Sequence, residues 1–373
     1  MDKSRNPIHQ ILFLTLKVFS ATGGIEKVCR VAGKVLYEYG LQNAVPFKII
    51  SMHDGAEAAV GNPYFPAEMF VGFNAAKVNF MMEAVDAGSK SKVVILSHIN
   101  LLLAGWLIKK ISPSTKVILM AHGIEIWQPM SKRKRMMLHA CDKIVSVSRY
   151  TNEKIKILHD LNDNKCNVLN NCIDPYLSRP AVKQRSNKLI KRYGFTNDDV
   201  ILLTLTRVSQ RDRYKGYYHV LHAIAASGNK NYKYLLAGSY DEDEAAYVKN
   251  LAMRLGLTDS LILSGFIPEE ELPELFCTSD IYVMPSVKEG FGIVFVEAMF
   301  YGLPVIAGNA DGSTDALLQG KLGILITPEN PSAIVDALKK IGEDREKYIP
   351  DQKLLQEHFS YETYKRGLAA LID

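Results

Sequence analysis

Short runs of β-branched and aliphatic residues recur along the whole chain, and most gaps between them can hold an amphipathic helix. This alternation constrains the fold more than any other feature, because strands alternating with helices imply βαβ units and parallel sheets. Strands are expected over 10–16, 47–51, 93–97, 116–121 and 143–147, then over 200–206, 232–237, 261–264, 281–284, 304–307 and 323–326. Helices are expected over 25–39, 100–111, 215–226, 243–255, 292–301 and 331–341. The rhythm breaks over 171–198, where prolines, charges and a shortage of apolar residues read as a linker. The chain is therefore read as two α/β domains joined near 175–185. Its 373 residues suit two separate cores. "FSYETYKRGLAALID" closes it with an amphipathic helix.

Composition narrows the class of partner. The net charge of +5, from 45 basic and 40 acidic residues, is too small to argue for nucleic acid. It suits an anionic small molecule or an acidic membrane surface. Five cysteines, none in a CxxC pair, argue against a disulfide framework or a zinc site and for the reducing cytoplasm. "ILFLTL" (11–16), followed by Lys17, reads as a buried strand and not as a secretory signal. The apolar stretch 93–108 is broken by Ser97, His98 and Asn100 and falls short of the roughly 20 residues a membrane span needs.

In open α/β sheets ligands bind beyond the C-terminal strand ends, and those positions carry unusual residues here. The first strand leads to Gly23 and Gly24, which are not part of a GxGxxG fingerprint. Later strands lead to His98 and Asn100, to His122, Gly123 and Glu125, and to Ser148. In the second half they lead to Arg207, Lys215 and Gly216, to Gly238 and Ser239, to Gly265 and Phe266, and to Glu289, Gly290 and Gly292. A lone histidine or a pair of cations at such a place is often a solvated polar residue. Glu297 is harder to dismiss. In "SVKEGFGIVFVEAMFYGLPVIAG" (286–308) it lies in an apolar helix whose positions 293, 294, 300 and 301 are Ile, Val, Phe and Tyr, so no helix-face cation pairs with it. Burying a carboxylate without a partner costs several kcal/mol.

Gly290-Phe291-Gly292, bending into the helix expected over 292–301, makes an anion site from free backbone N–H groups. Arg207 and Lys215 would add full positive charge, so a diphosphate held there needs no metal. Glu297 would accept from a vicinal diol such as a ribose, and Glu289 from sugar hydroxyls beyond the phosphates.

These residues resemble the family-4 retaining glycosyltransferases, which have the GT-B fold: α/β, two Rossmann-like parallel-sheet domains facing across a deep cleft, with the last helix returning to the N-terminal domain. The resemblance rests on the Glu-x7-Glu block flanked by "PS" and "PVIA", with weaker support from "GGIEK", "HGIE", "VSVSRYT", "LNNCID", "LAG" and "LSGFI". Bacterial polysaccharide mannosyltransferases are similar. The resemblance implies an acceptor-binding domain over 1–178, a nucleotide-sugar domain over 179–355, and a returning helix over 356–373. It implies a hexose transferred with retention from GDP-mannose or a UDP-sugar to a saccharide or polyprenyl-linked saccharide, with no cofactor and no metal. His122, Glu289, Arg207 and Lys215 would be catalytic. Donor contacts would come from Gly24, Arg207, Lys215, Gly238, Phe266, Glu289, Phe291, Gly292, Ile293 and Glu297, and acceptor contacts from His98 and Glu125. Thr206, Tyr214, Cys172 and Asp315 stand where family members commonly have Gly, Glu, Gly and Glu.

"WQPMSKRKRMM" (127–137) places Lys132, Arg133, Lys134 and Arg135 beside Trp127, Met136 and Met137. It reads either as a solvated helix face or as a dock for anionic lipid at the cytoplasmic side of the membrane. Residues 65–82 are rich in aromatics and methionine, which core packing explains best. Competing functions are a sugar-nucleotide epimerase on a similar fold, a non-catalytic nucleotide-sugar-binding subunit, and an NAD-linked oxidoreductase, the last disfavoured by the missing GxGxxG.

Overall fold

A computed structural model describes residues 10–180 and 182–373. The first nine residues of the expected N-terminal domain and Ala181 of the expected linker lie outside the described residues. The first half builds β1 (Ile11–Thr15), α1 (Gly24–Gln42), β2 (Phe47–Ser51), β3 (Phe70–Gly72), α2 (Lys77–Ser89), β4 (Val93–Leu96), α3 (Leu102–Ile111), β5 (Lys116–Ala121), α4 (Lys132–His139), β6 (Lys143–Ser146), α5 (Arg149–His159) and β7 (Cys166–Val168). After α6 (Asn187–Tyr193), the second half builds β8 (Val200–Leu205), α7 (Tyr217–Ser227), β9 (Tyr232–Ala237), α8 (Glu242–Arg254), β10 (Leu261–Gly265), α9 (Leu272–Thr278), β11 (Ile281–Met284) and α10 (Ile293–Phe300). It continues through β12 (Val305–Gly308), α11 (Ser313–Ala316), β13 (Ile324–Ile326), α12 (Pro331–Glu343), α13 (Gln352–Phe359) and α14 (Tyr361–Ile372).

Two parallel sheets result. One has seven strands in the order β3-β2-β1-β4-β5-β6-β7, the other six in the order β10-β9-β8-β11-β12-β13. The strands read as near-continuous apolar runs because helices cover both sheet faces. In each sheet the chain winds outward from its first strand, then returns to that strand's other side. This creates a topological switch point between β1 and β4 and another between β8 and β11.

The chain divides into two units. One runs to Tyr176 and takes in Tyr361–Asp373; the other is Leu177–Ser360. In the first unit α14 packs on α1, tied by Lys365 to Glu38 at 2.6 Å. In the second, α13 packs on α10, and the Phe359 ring meets Phe291 edge-on.

Every strand expected from the sequence is present. The two unexpected ones, β3 and β7, are three-residue edge strands, too short to show a period. The expected linker over 171–198 is corrected by α6, which Ser186 caps by accepting from the Leu189 N–H and Gly194 ends at φ 69°. Seven residues with two lysines and an arginine bury little, which is why the segment read as linker. Phe65, Phe70, Phe80 and Trp127 are all buried.

Candidate active site

The second unit concentrates polar side chains at its switch point. Beyond β8 the chain reaches Arg207, then a 3-10 turn (Gln210–Lys215) that carries Lys215. Asp212, within that turn, accepts from Arg207 Nε at 2.7 Å and from the Ser209 hydroxyl at 2.5 Å. Burial works to raise the Asp212 carboxyl, but the Arg207 and Ser209 hydrogen bonds outweigh it and hold the group below its usual range. Arg207 is thus oriented at its base while its side chain stays 64% exposed.

The same turn is gripped from behind. Arg213 donates to the buried Glu244 at 2.8 Å through both Nε and a terminal nitrogen, and its guanidinium lies 4.0 Å from the centre of the Tyr247 ring. Tyr217 donates to the same carboxylate at 2.7 Å. At the end of the turn Gly216 adopts φ 78°, and a Cβ there would lie 2.4 Å from the Pro285 carbonyl oxygen. This close approach brings Lys215 beside the chain leaving β11.

That chain carries Glu289, whose carboxylate contacts the Lys215 ammonium. Burial pushes Lys215 down to about 8, against the pull of the nearby Asp212 and Asp311 carboxylates. The Glu289 main chain is fixed on both sides: its N–H donates to Asp311 at 2.6 Å and its carbonyl accepts from Gly312 at 2.9 Å. Gly292 follows at φ 82° and opens α10, whose first N–H groups have no intrahelical acceptor. Phe291 is buried against α13, and Glu297 is buried in the second turn of α10. Burial pushes the Tyr282 and Tyr301 hydroxyls up, and the Glu297 charge adds to that shift. At the neighbouring strand ends, Gly238 (φ 129°) lets β9 pass close to Thr206, and Phe266 after β10 stands 58% exposed.

The first unit places its candidates at the corresponding edge of its own sheet. Gly24 begins α1. The buried Asp54 shapes the loop before it, accepting from the N–H groups of Val18 and Ser20 at 2.7 Å each. His122, after β5, donates from Nε2 to the Ser97 carbonyl at 2.8 Å, an assignment that fixes the proton on that nitrogen. Glu125 accepts from the His122 N–H at 2.6 Å and the Gly123 N–H at 3.2 Å, so its carboxylate braces the turn. His98 accepts on Nδ1 from the Asn100 N–H, and burial lowers its pKa.

Arg207, Lys215, Glu289 and the start of α10 are brought together within one unit. Among the described residues no group of three or more His, Cys, Asp or Glu side chains could hold a metal ion.

Residues 186–365 match the family described as group 1 glycosyl transferases. This segment is similar to the group 1 glycosyl transferases. It contains Arg207, Lys215, Glu289 and Glu297. Outside the family description, the chain is 26% identical over 204 residues to an uncharacterized glycosyltransferase of Methanocaldococcus jannaschii, covering 54% of this chain and 51% of that protein. It is 27% identical over 180 residues to the 2-deoxystreptamine glucosyltransferase of Streptomyces kanamyceticus, covering 48% and 45%. The chain therefore spans about half the length of the curated relatives it matches. Anabaena HepE, solved in complex with UDP-glucose, superposes with a TM-score of 0.79 at 20% identity, over 97% of this chain and 99% of that one. Each unit carries a Rossmann-like parallel sheet, as in the GT-B fold.

Sequence reasoning missed Asp212, Arg213, Glu244, Asp311 and Asp54. The signal for Asp212 was local, a Ser-x-x-Asp spacing between two proposed phosphate cations. Glu244 and Asp311 act on partners 31 and 22 positions away, and nothing in the sequence marks those pairings.

Proposed function

We propose that this protein is a retaining glycosyltransferase. It moves a hexose from a nucleoside-diphosphate sugar, GDP-mannose or a UDP-sugar, to a saccharide or lipid-linked saccharide acceptor in cell-surface polysaccharide synthesis. The observation that carries the reading is the contact of Lys215 with Glu289 beside the N-terminus of α10, at the β8–β11 switch point of a segment similar to the group 1 glycosyl transferases. The UDP-glucose complex of Anabaena HepE supports a donor of this class.

In this reading Arg207, Lys215 and the α10 N-terminus stabilise the departing diphosphate, electrostatic work that needs no metal. Glu297 accepts from the ribose hydroxyls. Glu289 and His122 orient the donor sugar, and Phe266 and Gly238 border the base. His98 and Glu125 belong to the acceptor side. The C1–O bond to phosphate breaks, the acceptor oxygen bonds C1 on the same face, and its proton passes to the departing phosphate oxygen.

An anionic membrane surface fits the first unit. Lys132 and Arg133 stand exposed in the first turn of α4, where the helix dipole disfavours cations by about 0.3–1 kcal/mol each. Lys134 bonds Asn100 and Arg135 bonds Asp160. Helix α3 packs against α2 and α4, and Met82, Leu103, Ile111 and Met136 of these helices are exposed. Among the described residues no helix is long and apolar enough to cross a membrane, so the attachment proposed is peripheral.

The deciding experiment incubates the protein with nucleotide sugars, with and without lipid-linked acceptors, in EDTA. Transfer with retained anomeric configuration is the expected result. An inverted product, sugar isomerisation without acceptor, or full dependence on added Mg²⁺ or Mn²⁺ would each overturn it.

A further inference from the structure

The loop leaving β12 carries a buried carboxylate that the reading above does not use. Asp311 is 1% exposed. Its Oδ2 accepts from the Glu289 N–H at 2.6 Å and from the Ser286 hydroxyl at 2.9 Å, and its Oδ1 accepts from the Ser313 N–H at 2.9 Å. Gly312, next in sequence, donates to the Glu289 carbonyl at 2.9 Å. The two loops touch along their backbones: a Cβ at Gly312 would lie 2.1 Å from the Gly290 carbonyl oxygen, and one at Gly308 would lie 2.0 Å from that of Ser286. No local rule requires an acid here. A hydrogen-bond acceptor was needed for one N–H, yet the chain buries an ionisable group and surrounds it with three donors.

We propose that Asp311, in its ionised form, is the positioning residue for Glu289, holding the Glu289 main chain so that its carboxylate meets Lys215 and the donor sugar. This inference rests on the glycosyltransferase reading of the same site. Two N–H groups and a hydroxyl converge on the Asp311 carboxylate. A proton on Oδ2 would face the Glu289 N–H, a donor against a donor, and that hydrogen bond would weaken. Protonation therefore loosens Glu289, and a 1 Å misplacement of a reacting group can cost about a hundredfold in rate. The ionisable groups facing Asp311 are Lys215 and Tyr214, from the loop before α7, and Glu289 on the adjoining loop. Burial raises Asp311 to about 6, with the Ser313 and Ser286 hydrogen bonds and the Lys215 charge opposing the rise. The ionised, active form thus dominates above about pH 6 and is lost below it.

The test is the pH profile of kcat for sugar transfer, together with UDP binding by calorimetry. Wild type should show an acid limb near pH 6, which the arrangement assigns to Asp311. Asp311→Asn keeps an acceptor but cannot titrate. Its limb should disappear, with kcat about a hundredfold lower across the range and free UDP binding within about threefold of wild type. Ser286→Ala removes one donor to the carboxylate, so its limb should move to higher pH. An unchanged limb in both variants overturns the inference even when wild-type transfer proceeds normally. Wild type that neither binds UDP or GDP nor transfers sugar defeats the underlying reading instead. A variant with a lowered melting temperature but an unshifted limb assigns Asp311 a purely structural role and also overturns the proposal.

Discussion

Replacing Lys215 with methionine should destabilise the Leu177–Ser360 unit more than replacing Glu289 with glutamine. The reason lies in what each change leaves behind. Lys215 faces three carboxylates, in contact with Glu289 and within electrostatic reach of Asp212 and Asp311. Without the ammonium, buried Glu289 and Asp311 lose their nearest cation, while Asp212 keeps Arg207. Removing one member of a buried pair costs about 3–5 kcal/mol. The lower end applies here, because the Lys215 and Glu289 side chains keep 17% and 11% of their exposure, so about 3 kcal/mol is expected for Lys215→Met. Glu289→Gln leaves Lys215 charged with Asp212 and Asp311 still opposite it, and a neutral amide remains to accept from it. About 1 kcal/mol is expected there, the scale of one hydrogen bond. The double variant should fall well short of the sum, since the second change removes the charge stranded by the first. Urea unfolding at neutral pH, followed by circular dichroism, gives all three values. Equal costs for Glu289→Gln and Lys215→Met would show that Lys215 serves Glu289 alone, and additive effects would show that the two charges are not coupled; either result refutes this account of the site.

Gly216→Ala should cost about 1–3 kcal/mol, because φ 78° and the Pro285 carbonyl both exclude a Cβ. It should also weaken UDP binding by displacing Lys215; calorimetry with wild-type affinity would refute the link between this turn and the proposed phosphate site. Lys183, whose ammonium donates to the Ser279 carbonyl, is pushed down to about 8 by burial. Between that pH and the ordinary lysine range the unfolded chain binds more protons than the folded one, so this group makes stability rise with pH. Urea midpoints at about pH 7.5 and about pH 9.5 should show a rise in wild type that is smaller in Lys183→Met, where Lys215, also lowered to about 8, still contributes. Changing Lys132, Arg133, Lys134 and Arg135 together to serine should release the protein from anionic liposomes, at about 1 kcal/mol per cation near the surface. Equal sedimentation of the two proteins would leave the cluster as a solvated helix face.

The sequence by itself determined the class of fold. Its alternation of apolar runs and amphipathic gaps follows from the burial of both faces of a parallel sheet, so each long strand was legible without a partner. The Gly290–Gly292 helix opening, the Glu289 and Glu297 pair, and the cations Arg207 and Lys215 were legible for a related reason. Each is a polar or glycine residue where the local pattern demands apolar filling. What only the tertiary structure decided is how those residues are held. Asp212 orients Arg207, Glu244 grips the turn through Arg213 and Tyr217, and Asp311 anchors the Glu289 main chain. These acids looked like ordinary surface charges or turn residues in the sequence. Asp212 acts within the loop that carries Arg207, but Glu244 and Asp311 act from loops on adjacent parallel strands, which the sheet order sets side by side after crossovers of twenty residues or more. Propensity and periodicity describe a residue's own segment. The partner of a buried charge is set by which strand end lies next to it, and only the assembled sheet decides that.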